Sequence, residues 1–214
     1  MADTAVTWLG HAAFRVDTPG GKRVYLDPWL GNPKCPENER NPERVDVIGL
    51  THGHGDHVGS LDQLKQRLGP VEVLMPELDA RIHAGEKIVD GNLPGGWPKL
   101  ETVPDVRLRA GDRVGSLEVI ANPGHTPGHV ALFDTRDRSL IAGDTFTTVG
   151  RPEVASHRNL RFPLAAMATW DGPTTLESAR ALRALDPAVL VVGHGGPLRD
   201  PGVALDAAIA RASR

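Results

Sequence analysis

The chain has 214 residues, 40% hydrophobic and 24% charged, which suffices for one well-buried core and is ordinary for a soluble protein. A net charge of −3 without a basic cluster excludes the electrostatic footprint of DNA or RNA binding, and no run of about eighteen apolar residues and no leader-like Met1–Thr4 segment supports membrane spanning or secretion. The single cysteine, Cys35, excludes an internal disulfide, so one cytoplasmic domain over residues 1–214 is expected, with a small molecule rather than nucleic acid or membrane as its partner.

Alternating residues predict half-buried strands over residues 5–9, 14–17 and 24–27, an opening meander with its turn at Pro19-Gly20-Gly21. Residues 31–44, with three prolines, read as a loop into the apolar run 45–50. Ser60-Leu61-Asp62-Gln63 has capping-box spacing, and Leu61, Leu64 and Leu68 form one stripe, so a helix is expected there with His57 just before it. A strand over 71–75, a short helix over 77–84 and an exposed connection over 85–104 follow. Residues 106–108, 117–121, 130–133 and 140–142 predict a second run of strands. Thr174-Thr175-Leu176-Glu177 offers another capping box, opening a helix with Leu176, Ala179, Leu182 and Leu185 on one face. Pro187 ends that helix before a last strand at 188–192, and 202–212 supplies a terminal helix. Two strand-rich halves, each followed by helices, predict an α/β fold, a four-layer αββα sandwich.

The chemistry concentrates in Thr51-His52-Gly53-His54-Gly55-Asp56-His57, three imidazoles and a carboxylate directly after an apolar run. Such nitrogen and oxygen donors suit Zn²⁺ and its borderline neighbours, and core packing asks for no such group of side chains at a strand end. In an extended chain His52 and His54 share a face, while Gly53 and Gly55 are expected to let the backbone bend so that Asp56 and His57 reach a second position. His125, Asp144 and His194 each follow a β-like run and sit beside a glycine. Seven residues, His52, His54, Asp56, His57, His125, Asp144 and His194, are enough for two metal sites with a shared carboxylate.

With these residues the chain resembles the metallo-β-lactamase-fold superfamily of metallohydrolases, through H-x-H-x-D-H at His52–His57 and the later His, Asp and His in order. The resemblance implies that His52, His54 and His125 hold one metal, that Asp56, His57 and His194 hold the other, and that Asp144 bridges them. It implies the same αββα fold. Asp27 looks like the superfamily's early aspartate, supporting the ligands from behind, and the pattern leaves His129 a structural or supporting role. Gly124–His129 and Ala142–Thr145 are most similar to the small glyoxalase II and lactonase branches. Trp8–Ala12 with Leu26-Asp27-Pro28 resembles uncharacterised metal-dependent hydrolases. Three departures bear on the branch. The β-lactamases proper place cysteine or serine at the position of Asp144; glyoxalase II adds a helical domain, whereas twenty residues follow His194 here; quorum-quenching lactonases use a tyrosine near substrate, and the only tyrosine here is Tyr25 in an early strand.

Two divalent ions, expected to be Zn²⁺ with Fe or Mn as alternatives, would activate water toward hydroxide at near-neutral pH. Asp56 and Asp144 would orient this nucleophile, and Asp56 is the candidate for passing a proton to the leaving group. Gly-x-Ser-x-Gly is absent and Cys35 lies in a loop, so the expectation is direct hydrolysis of a small ester, thioester or lactone. An iron-dependent persulfide dioxygenase, a phosphodiesterase on the same scaffold, or a non-catalytic binding module are the alternatives. The expected pocket walls are Trp29, residues 85–98 and residues 146–170, where Phe146, Phe162, Met167 and Trp170 offer either an apolar rim or core, and Arg151 and Arg161 either receive an acidic substrate or face water. His11 either overhangs the site or caps a turn, His83 reads as a surface or satisfied core residue, and His157 as solvent-facing.

Overall fold

The opening meander forms: β1 (Ala5–Trp8), β2 (Phe14–Asp17) and β3 (Arg23–Leu26) pair antiparallel, with Trp8 opposite Phe14 and Phe14 opposite Leu26. The structure, a computed structural model, describes residues 5–214, so the Met1–Thr4 reading lies outside the described residues. The chain divides into two compact units, one running to Glu86 and including Gly96–Leu108, the other made of Lys87–Gly95 and Arg109–Arg214.

In the first unit β3 continues in parallel to β4 (Val47–Gly49), β5 (Glu72–Pro76) and β6 (Val106–Leu108), completing a six-stranded sheet in the order β1 to β6. All three residues of β4 are buried, as its apolar run requires of an inner parallel strand. The sheet carries three helices, α1 (Gly55–Val58), α2 (Leu61–Leu68) and α3 (Glu77–His83). Leu61 and Leu64 enter a core with Leu9, Tyr25, Ile48, Leu50, Val73 and Met75, and Leu68 packs at its edge, so the predicted stripe is real. The predicted capping box is not. Ser60 precedes α2 without capping it, because its Oγ accepts the buried amide of Leu30 at 2.8 Å; Asp62 accepts the amides of Glu101 and Thr102. Tertiary demand for acceptors outcompetes the local motif. His57 precedes α2 as expected, and it does so within a further short helix, α1, that the sequence pattern did not announce.

The second unit holds β7 (Arg113–Val114), β8 (Leu117–Ala121), β9 (Val130–Asp134), β10 (Ser139–Ile141), β13 (Val189–Val191) and β14 (Leu198–Arg199), in the order β14-β13-β10-β9-β8-β7. Its pairs are antiparallel except β10 with β13, and a separate hairpin joins β11 (Phe146–Thr147) to β12 (Glu153–Val154). Helices α4 (Leu164–Ala168), α5 (Gly172–Ala184) and α6 (Gly202–Ala212) complete the unit. Ala179, Leu182, Leu205 and Ala208 join Ala131, Leu140, Val154 and Leu190 in a second core, with Leu176 and Leu185 at its margin. The expected start of α5 at Thr174 is corrected: Asp171 is the cap, accepting the amide of Thr174 at 2.8 Å, and Pro173 occupies the first turn. No helix among the described residues is long and apolar enough to cross a membrane.

Candidate metal centre

Beyond β4 the chain bends at Thr51 and is extended at His54, and α1 then turns Asp56 and His57 back beside the first two histidines. Ring centroids of His52 and His54 lie 4.9 Å apart, those of His52 and His57 3.8 Å. Ligand atoms of His52 and His54 come within 4.8 Å of one another, as do those of Asp56 and His57. All three imidazoles are buried and Asp56 is half-buried. Burial of so many polar rings is costly unless each finds a partner, and partners stand beside His52 and His57.

Asp27, in a left-handed conformation (φ 46°) just past β3, accepts the amide and hydroxyl of Thr51, both at 2.7 Å. Its Oδ2 also lies 3.0 Å from Nδ1 of His57. Thr51 Oγ1 in turn lies 3.2 Å from Nδ1 of His52. A histidine that ligates a metal through one ring nitrogen usually bonds a neighbour through the other, and Asp27 and Thr51 fill that neighbour role. The early aspartate therefore stands where the sequence resemblance implies.

The expected backbone bend comes where α1 begins at Gly55, and neither Gly53 nor Gly55 needs a positive φ for it. Gly53 is needed for closeness. A Cβ there would lie 2.6 Å from Cζ3 of Trp97 and 2.7 Å from Nε2 of His83. The Gly53 amide donates to the fully buried carboxylate of Asp79 at 2.8 Å, and its carbonyl accepts from His83 Nε2 at 2.9 Å. Burial holds the His83 imidazole below its ordinary range, so it is neutral at pH 7 and serves as this donor. Trp97 stands 5.2 Å from the His54 ring, and Gly96 accepts the amide of Gly55. That part of the predicted exposed connection thus borders the ligands of the first unit.

In the second unit three strands deliver the remaining residues. Asp144 follows β10, His194 follows β13 and His125 follows β8; Oδ2 of Asp144 lies 2.9 Å from Nε2 of His194 and 3.5 Å from Nε2 of His125. Thr169 Oγ1 sits 3.1 Å from Nδ1 of His125, and Trp170 donates its amide to the His125 carbonyl. His129 supports Asp144 directly: its Nε2 accepts the Asp144 amide at 3.0 Å, while its Nδ1 donates to the Asn122 carbonyl at 2.9 Å. His194 is fixed by its carbonyl, which accepts from Thr147 Oγ1 and the Thr148 amide, and its ring lies 4.7 Å from that of Phe162.

Every sequence-derived ligand is therefore gathered within its unit. The donor set, five imidazoles and two carboxylates, fits divalent ions of the zinc and iron type, and Thr51 and Thr169 beside Nδ1 of His52 and His125 fit rings held to ligate through Nε2. Thr51, Asp79, Trp97 and Thr169 were not singled out from sequence. Thr51 adjoins the motif and was legible by adjacency, whereas Thr169 stands 44 residues from His125 with no local signal.

At the periphery one expectation changes, that for His157, and alternatives left open by the sequence are decided. Phe146 is fully buried core, not rim, whereas Met167 is 71% exposed. His157 is half-buried rather than solvent-facing. Arg151 donates to Glu153 at 2.6 Å. Tyr25 is buried, donates to Glu39, and is pushed up to about 12 by burial first and by Glu39 second. Burial raises the Cys35 thiol, the opposite of what a nucleophile needs.

A family model described as the metallo-beta-lactamase superfamily matches residues 13–194. An uncharacterised protein, YobT, of Bacillus subtilis (strain 168) is 40% identical over 173 residues, covering 78% of this chain and 74% of the relative. A protein of Koribacter versatilis (strain Ellin345) named as a metal-dependent hydrolase is 32% identical over 203 residues, covering 89% and 84%. The solved structure of TTHA1623 in a di-iron-bound form superposes with a TM-score of 0.63 at 25% identity, covering 94% of this chain and 96% of that one.

Proposed function

Because the chain belongs to the metallo-β-lactamase superfamily, we propose that it is a metal-dependent hydrolase acting on a small-molecule ester, thioester or lactone. The observation that carries this reading is the outer bonding of the ligand histidines, Thr51 on His52, Asp27 on His57 and Thr169 on His125. Following the family pattern, His52, His54 and His125 would hold one divalent ion, Asp56, His57 and His194 the second, and Asp144 would serve both. On this reading residues 1–214 act as one hydrolase domain.

Bound there, two such ions supply Lewis acidity and bring the pKa of a coordinated water toward about 7. The chain's own groups do the remaining work. Asp144, whose amide is tied to His129, orients the attacking water, and Asp56 takes the proton that this water gives up and hands it to the departing alkoxide or thiolate. No protein nucleophile is required, in keeping with the buried, high-pKa Cys35.

Elemental analysis of the purified protein, followed by turnover on ester, thioester, lactone and phosphodiester panels, tests the assignment. His54→Ala or Asp144→Ala should lower metal content and reduce kcat by roughly a thousandfold, the several kcal/mol that a metal ion contributes. His157→Ala should leave both near wild type; equal activity of all three variants would sink the reading. The di-iron-bound form of a protein 25% identical to this chain favours one second reading, an iron-dependent oxygenase. Turnover under anaerobic conditions separates the two, because hydrolysis needs no O₂.

A further inference from the structure

His11 lies outside the H-x-H-x-D-H motif, yet the fold brings its ring to that motif. It closes the bend Trp8–Ala12 in the left-handed region, φ 51°, which residues with a Cβ seldom adopt and which persists only where the surroundings enforce it. Those surroundings are specific. Gly10, φ 87°, packs so closely on Asn32 that a Cβ would lie 2.4 Å from its Oδ1. The fully buried Asn32 donates Nδ2 to the carbonyls of Leu9 at 3.1 Å, Gly10 at 3.3 Å and Trp29 at 2.7 Å, and Trp8 Nε1 donates to the His11 carbonyl at 2.7 Å.

This bend sets the imidazole edge-on to the Trp29 ring, centroids 4.8 Å apart, with Nε2 2.9 Å from Oδ2 of Asp56. The two side chains are 26% and 33% exposed, so the bond is partly sheltered from competing water. An ionised carboxylate only accepts, hence the Nε2–H of His11 donates. A turn alone would be met more cheaply by glycine or asparagine, both at ease in this conformation. Histidine adds a rigid donor of the right reach.

We propose that His11 is a positioning residue that fixes the rotation of the Asp56 carboxylate. With one oxygen committed to His11, Asp56 meets the metal in a single orientation instead of sampling several. The proposal rests on the reading of Asp56 as a metal ligand, and its effect should appear both in metal affinity and in turnover. It assigns no proton transfer to His11.

The test compares His11→Asn, His11→Gly and His11→Gln with wild type. Asn and Gly keep the left-handed bend but fall short of Asp56, whereas the Gln amide donor can stand close to the imidazole Nε2–H. Metal-free chains are titrated with Zn²⁺ against a chromogenic chelator, a readout that needs no substrate, and kcat and KM are measured on the fastest ester found. The expected result is an approximately tenfold weaker second Zn²⁺ step for Asn and Gly, with kcat down about tenfold and KM within about twofold of wild type, and Gln retaining both within about threefold. Unfolding midpoints of the metal-free variants should stay near wild type. Asn and Gly chains that bind Zn²⁺ as tightly as wild type would overturn the proposal, as would a Gln variant as impaired as Asn, which would assign the effect to ring packing on Trp29. A wild-type chain that takes up no Zn²⁺ is a different failure, removing the metal reading itself and the proposal with it.

Discussion

At the residue scale the ligands depend on close approaches that only particular side chains permit. Gly53 leaves room for the Trp97 and His83 rings beside the two histidines that flank it. Gly53→Ala should therefore destabilise the protein by about 1–3 kcal/mol, the usual penalty of overpacking. Denaturant unfolding measures it, and in a Trp97→Ala background only part of the penalty should disappear, because His83 Nε2 still crowds the added Cβ at 2.7 Å. An unchanged unfolding midpoint for Gly53→Ala would show that the rings yield freely. The candidate ligands were readable from sequence because His and Asp at strand ends carry chemistry that packing does not explain. Of their supports, Asp27 and His129 were implied by the resemblance, but the atoms each meets, and Thr169 on His125, were not, because these are pairings between distant segments.

At the element scale the apolar stripes forecast where helices lie better than the capping motifs forecast where they begin. Leu176, Ala179, Leu182 and Leu185 do face the second core, but α5 starts at Gly172 with Asp171 as its cap. Asp171→Ala should cost about 1 kcal/mol, and Thr174→Ala less than about 0.5 kcal/mol, in equilibrium unfolding. Reversed magnitudes would restore the sequence-derived start. A stripe is averaged over many buried residues, whereas a cap is a single hydrogen bond that any nearby orphan amide can claim, as Leu30 claims Ser60. The two-residue strands β7, β11, β12 and β14 are too short for any alternation to register.

At the scale of the whole chain each unit folds around its own mainly aliphatic core, as the scarcity of aromatic residues led one to expect. The metallo-β-lactamase fold foreseen from the motif order is the one shared with solved relatives. Global stability should carry one acid-sensitive increment from Asp134, held at about 2 mainly by the Arg136 side chain and helped by the Arg136 amide and Ser116, against the opposing effect of burial. Its folded pKa lies below the unfolded one, so the stabilisation is complete above about pH 4 and fades as the pH falls toward 2. Asp134→Asn should thus lose about 1–2 kcal/mol at pH 7, allowing for the exposed Arg136, with variant and wild type converging near pH 2. Thermal unfolding of metal-free protein across this range measures it, and a constant gap down to pH 2 would remove Asp134 as the cause.

Composition and motif order alone established the α/β class, the seven candidate ligands and the expectation of water-based hydrolysis, because periodicity and donor chemistry are properties of short stretches of chain. Tertiary structure alone decided that Asp27 backs His57, that His129 holds the Asp144 amide and that His11 reaches Asp56. These are bonds between residues 15 to 45 positions apart, and their formation depends on three-dimensional packing that no local pattern encodes.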